Sequence, residues 1–233
     1  FGESSSSLPV TVGWTRDRRD SALVPNDGRY QRLNAEVGVA GDTRYVKANY
    51  QFQQYIPLNK QYTLAFNTEL GWGKGMSGRP FPLFKNFFGG GLGSVRGFDQ
   101  GTLGGRSTLV DDASRTVYIG GSKMAVLNTE ILAPFPGAGN DRTLRLFGFF
   151  DIGNVFTDDQ KFDAGELRAS VGVGLSWISP IGPLRIAYAR PVRKQESPRW
   201  LKKRRKARKP PPPWWTCPSR WPTRPKPSPK LPR

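Results

Sequence analysis

The sequence predicts an all-β chain: an antiparallel meander belonging to a transmembrane β-barrel, with one long loop folded into the lumen. Three observations predict it. Segments of about ten residues alternate apolar residues with small or polar ones, the period of a strand with one greasy face and one wet face. Gly, Asn and Asp stand between these segments, where turns need them. One interval, from about Lys74 to Thr116, is far too long for a hairpin turn, and it carries Phe81, Phe84, Phe87, Phe88 and Phe98. A loop with that many aromatic rings must pack against something, and the lumen is the nearest candidate.

The expected strands run in order along the chain. Leu8–Thr15, Arg29–Val39 and Arg44–Tyr55 come first. In Tyr62–Gly73, the residues Tyr62, Leu64, Phe66, Leu70 and Trp72 share one face. Beyond the loop, Ser122–Ala133 turns Leu127 and Ile131 outward, which puts Asn128 and Glu130 inward. In Thr143–Ile152, Leu144, Leu146, Phe150 and Ile152 share a face opposite Arg145, Phe147, Phe149 and Asp151. An acid is costly against lipid, so Asp151 points inward with Phe149. Alternation is clearest in Leu167–Trp177, where Leu167, Ala169, Val171, Val173, Leu175 and Trp177 oppose Arg168, Ser170, Gly172, Gly174 and Ser176. A turn at Ser179-Pro180-Ile181-Gly182-Pro183 leads into a last strand, Pro183–Pro191, with Leu184, Ile186 and Tyr188 opposite Arg185, Ala187 and Ala189. About eight strands result, of a length that spans a thin hydrocarbon layer when tilted. Trp14, Tyr30, Tyr45, Tyr62, Trp72 and Trp177 lie near strand ends and are expected to form an interfacial girdle. A soluble β-sandwich or closed barrel shares the alternation. Gly and Ser on the opposing faces, and the long central loop, favour the membrane barrel.

Composition divides the chain. The formal net charge is +18, but residues 196–233 hold 13 of the 36 Lys and Arg, 11 of the 21 Pro and 4 of the 7 Trp, with Glu196 the one acid. Residues 1–195 are therefore expected to be the partial barrel. Residues 196–233, with Lys202-Lys203-Arg204-Arg205-Lys206 followed by Pro210-Pro211-Pro212-Pro213, are expected to be a disordered or polyproline-like tail that does not pair with the last strand. The abrupt switch after Gln195 is expected of an out-of-frame C-terminus; a tail that binds nucleic acid or an anionic surface is the alternative. The start, Phe1-Gly2-Glu3-Ser4, has neither the basic residues nor the apolar core of a signal peptide, and a fragment is expected. One cysteine, Cys217, excludes an internal disulfide framework, and with no His a zinc or catalytic-dyad site is not expected. No nucleophile–base or phosphate-loop arrangement is present. The chain is not expected to be an enzyme, to hold a cofactor or metal, or to bind nucleic acid through the barrel.

The loop carries the most informative stretch. Phe88-Gly89-Gly90-Gly91-Leu92-Gly93-Ser94 leads into Val95-Arg96-Gly97-Phe98. If Arg96 enters the lumen it needs a carboxylate, and strand parity offers two, Asp151 and Glu130. Arg96 as a plain surface charge, with Asp151 a turn residue, is the alternative. The run Asn86–Phe98 resembles the lumen-loop signature of the BamA-type outer-membrane assembly factors, the bacterial surface-antigen family. Gly13-Trp14-Thr15-Arg16-Asp17, the Ala169–Trp177 strand, Ser179–Leu184 and Tyr188-Ala189-Arg190-Pro191 resemble the same family, so the likeness covers roughly residues 8–195.

The resemblance implies the C-terminal half of a sixteen-stranded barrel, with these segments as its eighth to fifteenth strands. It implies that Arg96 pairs with Asp151 in Phe149-Phe150-Asp151-Ile152-Gly153 and with Glu130 in Asn128-Thr129-Glu130. It implies residence in the outer membrane of a Gram-negative bacterium, contact with its lipids, and ATP-independent folding and insertion of unfolded β-barrel clients beside assembly-complex lipoproteins. The family's soluble repeats, its first barrel strands and its final aromatic-ended strand are not in this sequence, so the chain is expected to carry the wall and the gating loop. Three other readings stand beside this one: a translocation-and-assembly or two-partner secretion transporter, a passive porin-like channel, and a non-functional truncated product.

Overall fold

The structure, a computed structural model, describes residues 6–108, 116–137, 143–160 and 162–194. These belong to one compact unit, Phe1–Gln195. The expected tail, residues 196–233 with Cys217, lies outside the described residues.

Ten strands occur among the described residues: β1 (Ser7–Asp17), β2 (Gly28–Gly41), β3 (Tyr45–Pro57), β4 (Thr63–Gly75), β5 (Gly105–Thr108), β6 (Thr116–Gly120), β7 (Lys123–Pro134), β8 (Leu144–Phe156), β9 (Arg168–Ser179) and β10 (Gly182–Arg193). Eight form a single antiparallel sheet in the order β1-β2-β3-β4-β7-β8-β9-β10. Each strand pairs with its neighbour in sequence, except that β4 meets β7 across the long loop. The sheet is the expected eight-strand meander, and it does not close on itself.

Alternation decides which residues face the hollow. Tyr45, Lys47, Asn49, Gln51 and Gln53 on β3 stand opposite Gly38, Glu36, Asn34, Arg32 and Tyr30 on β2. Asn67 and Glu69 continue the row on β4, and Asn128 faces Asn67 from β7. The other face is apolar and uncovered: Val10, Val12, Trp14, Leu70, Trp72, Leu127, Ile131, Phe150, Val171, Val173, Trp177, Ile186 and Tyr188 are all exposed. A contiguous apolar face of this extent fits lipid rather than water. No helix among the described residues is long and apolar enough to cross a membrane.

Several expectations are corrected. The two extra strands, β5 and β6, pair only with each other and lie inside the long loop. That loop runs over residues 76–122, past the expected end at Thr116. Strand β8 continues four residues beyond Ile152 to Phe156. Leu167 precedes β9 instead of starting it. Tyr30 and Tyr45 do not join a girdle. Tyr30 shares the inward row and lies under Arg19, and Tyr45 is fully buried. Trp14, Tyr62, Trp72 and Trp177 do face outward.

Val173 sits mid-strand on the outer face of β9 and is 63% exposed. Val173→Arg is expected to cost roughly 2–4 kcal/mol of barrel stability in a phospholipid bilayer, the penalty for a lipid-facing cation near the midplane. Urea unfolding in vesicles measures this. A soluble fold would tolerate arginine at so exposed a position.

Candidate functional site: a lumen-loop latch

The long loop leaves β4 and returns along the inner wall. Phe81 and Phe87 are buried, and they lie over Gly73 and Gly71 of β4. A short 3-10 turn, Leu83–Lys85, separates them. Phe87 then exchanges backbone hydrogen bonds with Gly121, 2.7 and 3.0 Å, and Leu103 N–H donates to Gly89 O at 3.0 Å. Between these rungs the chain doubles back: Ser94 N–H donates to Gly91 O, and Gly91 N–H to Phe98 O. Val95, Arg96 and Gly97 form the tip of the fold-back. Phe87, Val95 and Leu103 from the loop pack with Met124, Val126 and Val155 from β7 and β8, and Phe98 packs against this cluster. The apolar core of the molecule is thus the contact between loop and wall. Phe84 and Phe88, also expected to pack, are instead half exposed or more.

This packing carries Arg96 to the wall. Its backbone N–H donates to Asp151 Oδ2 at 3.0 Å. Its Nε donates to the same oxygen at 2.7 Å, and Nη2 donates to Oδ1 at 2.6 Å. The guanidinium fork therefore meets the carboxylate bidentately, the geometry that gives arginine its advantage over lysine. Nη1 donates to Glu130 Oε1 at 2.7 Å. Asp151 is 0% and Arg96 5% exposed, against 14% for the Glu130 side chain. Burial disfavours the charged guanidinium, but the hydrogen bonds to Asp151 and the charges of Glu130 and Asp151 outweigh it and raise the pKa of Arg96 above the ordinary arginine value.

Phe149 lies beneath the pair, with its ring centroid 3.6 Å from the guanidinium carbon. Gly172 makes that position available, since a Cβ there would fall 2.4 Å from Phe149 Cζ. Gly97 has φ of +82°, which an L side chain adopts only with strain, and it passes close under Ala189 and Pro191 of β10. All the residues expected at the site, Val95, Arg96, Gly97, Phe98, Asp151, Glu130 and Phe149, are brought to one place. Phe98 fills apolar space against the core cluster, and Phe149 supports the ion pair.

Other participants were not assigned from sequence. Arg185 of β10 donates to the second oxygen of Glu130 and lies 4.2 Å from the Phe147 ring centroid. Glu130 thereby joins the loop to the last strand of the sheet. Asn128, read only as inward-facing, donates to Ser94 O at 2.6 Å and accepts from Asn67 at 3.1 Å. It holds the backbone two residues before Arg96. A second anchor grips the first limb of the loop: Lys85 Nζ pairs with Glu36 at 2.6 Å, Tyr45 also donates to Glu36, and Lys47 Nζ donates to Lys85 O at 2.8 Å. The hydrogen bond to Glu36 is the main cause that raises the Lys85 pKa above its ordinary value. Alternation alone places Glu36 and Lys47 inward, but no spacing rule reveals which loop residue meets them. Among the described residues no group of three or more His, Cys, Asp and Glu is arranged to hold a metal ion.

An open antiparallel sheet with an apolar outer face and an arginine-tipped loop latched to its inner wall defines the class: a membrane β-barrel wall with a lumen loop. Residues 2–204 match the Omp85 superfamily domain, and the chain belongs to that superfamily. It is 37% identical over 211 residues to the outer membrane protein assembly factor BamA of Neisseria meningitidis serogroup B, covering 79% of this chain and 26% of that protein. BamA of Nitratidesulfovibrio vulgaris is 33% identical, covering 82% and 24%. A SAM50-like protein of Schizosaccharomyces pombe is 24% identical, covering 83% and 42%. Among solved structures, BamA from Haemophilus ducreyi lacking POTRA domains 1-3 superposes with a TM-score of 0.74 at 26% identity, covering 82% of this chain and 40% of that one. The chain therefore spans about a quarter of the length of the two BamA relatives.

Proposed function

We propose that this chain is the wall and latch of an assembly factor that folds and inserts β-barrel proteins into the outer membrane of a Gram-negative bacterium. The observation that carries the reading is the dry, bidentate pairing of Arg96 with Asp151, which ties a lumen loop to the wall of an Omp85-type sheet. The relatives' names support the activity. Outer-membrane lipids bathe the apolar face, unfolded β-barrel proteins are the clients, and assembly-complex lipoproteins work beside the complete protein. Work of this kind needs neither ATP nor covalent chemistry. A client strand that adds to an open sheet edge gains main-chain hydrogen bonds, and that binding energy drives insertion. The latch keeps the loop, and with it the lumen side of β7, β8 and β10, in one arrangement while the edge elsewhere is used.

Proteoliposomes test the reading. The complete barrel protein is reconstituted without nucleotide and given a urea-unfolded β-barrel client, with folding scored by heat-modifiable gel mobility. Folding well above that in empty liposomes, reduced by Arg96→Ala, is expected. A rate equal to that of empty liposomes, or one that appears only with ATP, contradicts the proposal. Steady ion conductance without client folding identifies a channel instead.

A further inference from the structure

Arg168 is the one inward-facing cation of β9, and the latch as described does not use it. It is 8% exposed, and its Nε has no hydrogen-bond partner. None of the ion pairs among the described residues includes it. It meets the loop at Phe98, two residues past Arg96, with the guanidinium carbon 5.7 Å from the ring centroid, and the charges of Arg106 and Glu166 lie within electrostatic reach without forming an ion pair. A buried guanidinium with no carboxylate in ion-pair contact is costly, and such a group calls for an explanation.

The strand register says which arrangement. Ser170 stands directly opposite Asp151, and Arg168 opposite Gly153. Arg168 is thus the diagonal neighbour of Asp151 on the same inner face, a separation that long side chains bridge. Between them stands only Ser170, a small side chain, fully buried, whose hydroxyl also lacks a partner. Gly153 adds no side chain. In the latched state both oxygens of Asp151 are taken by Arg96, and Phe98 lies against Arg168. When the loop withdraws, Arg96 and Phe98 leave together. One departure vacates the carboxylate and uncovers the second arginine.

We propose that Arg168 is the alternate partner of Asp151: the wall exchanges one arginine for another when the loop lets go, so that release never leaves the buried carboxylate unpaired. The latch is then a two-position device in which Arg168 stabilises the open position. The proposal rests on the latch reading above and deepens it.

The experiment follows loop release through a thiol at the tip, Ser94→Cys, in a Cys217→Ser background of the complete barrel protein in liposomes. Arg96→Ala is expected to raise the labelling rate. With Arg96 present, Arg168→Met is expected to lower the rate roughly tenfold, within the range of couplings in one ion-pair network, while Arg168→Lys leaves it near the starting value. Infrared difference spectra against Asp151→Asn report the carboxyl itself. In Arg96→Ala, Asp151 is expected to stay ionised, held by Arg168, and adding Arg168→Met is expected to protonate it. A labelling rate that Arg168→Met leaves unchanged or raises overturns the exchange, as does a protonated Asp151 in Arg96→Ala alone; the latter measurement needs no change at position 168. If Arg96→Ala does not raise labelling, the latch itself fails, and the exchange with it.

Discussion

Arg96→Ala is expected to cost about 3–5 kcal/mol of loop docking, the range for breaking a buried ion pair by removing one partner. A pair in a partly wet lumen would cost something between an exposed pair and a dry one. The structure moves it to the dry end, because Asp151 is fully buried and Arg96 nearly so. Most of the cost arises in the docked position, where without the Arg96 guanidinium the buried carboxylate has no charged partner. The same logic ranks the two acids. Glu130 is more exposed than Asp151 and keeps Arg185 when Arg96 is gone. Glu130→Gln leaves Arg96 its bidentate partner and is expected to cost less than Arg96→Ala, between roughly 1 kcal/mol for an exposed pair and roughly 3 for a buried one. Protease sensitivity of the loop and the heat-stability of the folded barrel measure both. The barrel itself should persist in each variant, since its eight-strand ladder does not pass through the loop.

Gly172→Ala is the second large effect, and it acts on the latch from behind. The added Cβ would fall 2.4 Å from Phe149 Cζ and 2.1 Å from the carbonyl oxygen of Tyr188. Neither contact is tolerable, and the strand carbonyl has little freedom, so the Phe149 ring must move. Overpacking of this kind costs roughly 1–3 kcal/mol. The displaced ring also leaves the underside of the Arg96 guanidinium, so the loop should loosen although no charge has changed. A paired change, Gly172→Ala with Phe149→Leu, is expected to recover part of the stability but not the stacking. Thermal unfolding of the single and double variants in detergent checks the first effect, and loop proteolysis the second.

These residues show what a sequence can and cannot reveal about such a site. Asp151 and Glu130 were legible because a strand has a period of two: once Leu127, Ile131, Phe150 and Ile152 are assigned to lipid, the acids have one direction left. The same rule, applied to Tyr30 and Tyr45, would have turned them inward with Arg32, Glu36, Lys47 and Asn49. Reading them as girdle residues weighed position near a strand end above parity, and the structure sides with parity. The β5–β6 hairpin was illegible for another reason. Four residues, Gly105–Thr108, are too few to show a pattern, and they pair only within the loop. Arg185 and Lys85 fall in a third group. Each has an ordinary local context, and its role comes from partners 55 and 49 residues away in the chain. Periodicity does not say which arginine of the loop enters the lumen; the glycine run before Arg96 and the resemblance do.

The most direct measurement of the central claim, that Arg96 and Asp151 act as one buried pair holding the loop to the wall, is a double-mutant cycle. Arg96→Ala, Asp151→Asn and the combination are compared by the heat-stability of the folded barrel. If the two residues act as one interaction, the double variant loses little more than the worse single variant, with a coupling toward the upper end of the roughly 0.5–3 kcal/mol seen for neighbours in one network. Full additivity of the two single effects would contradict the latch.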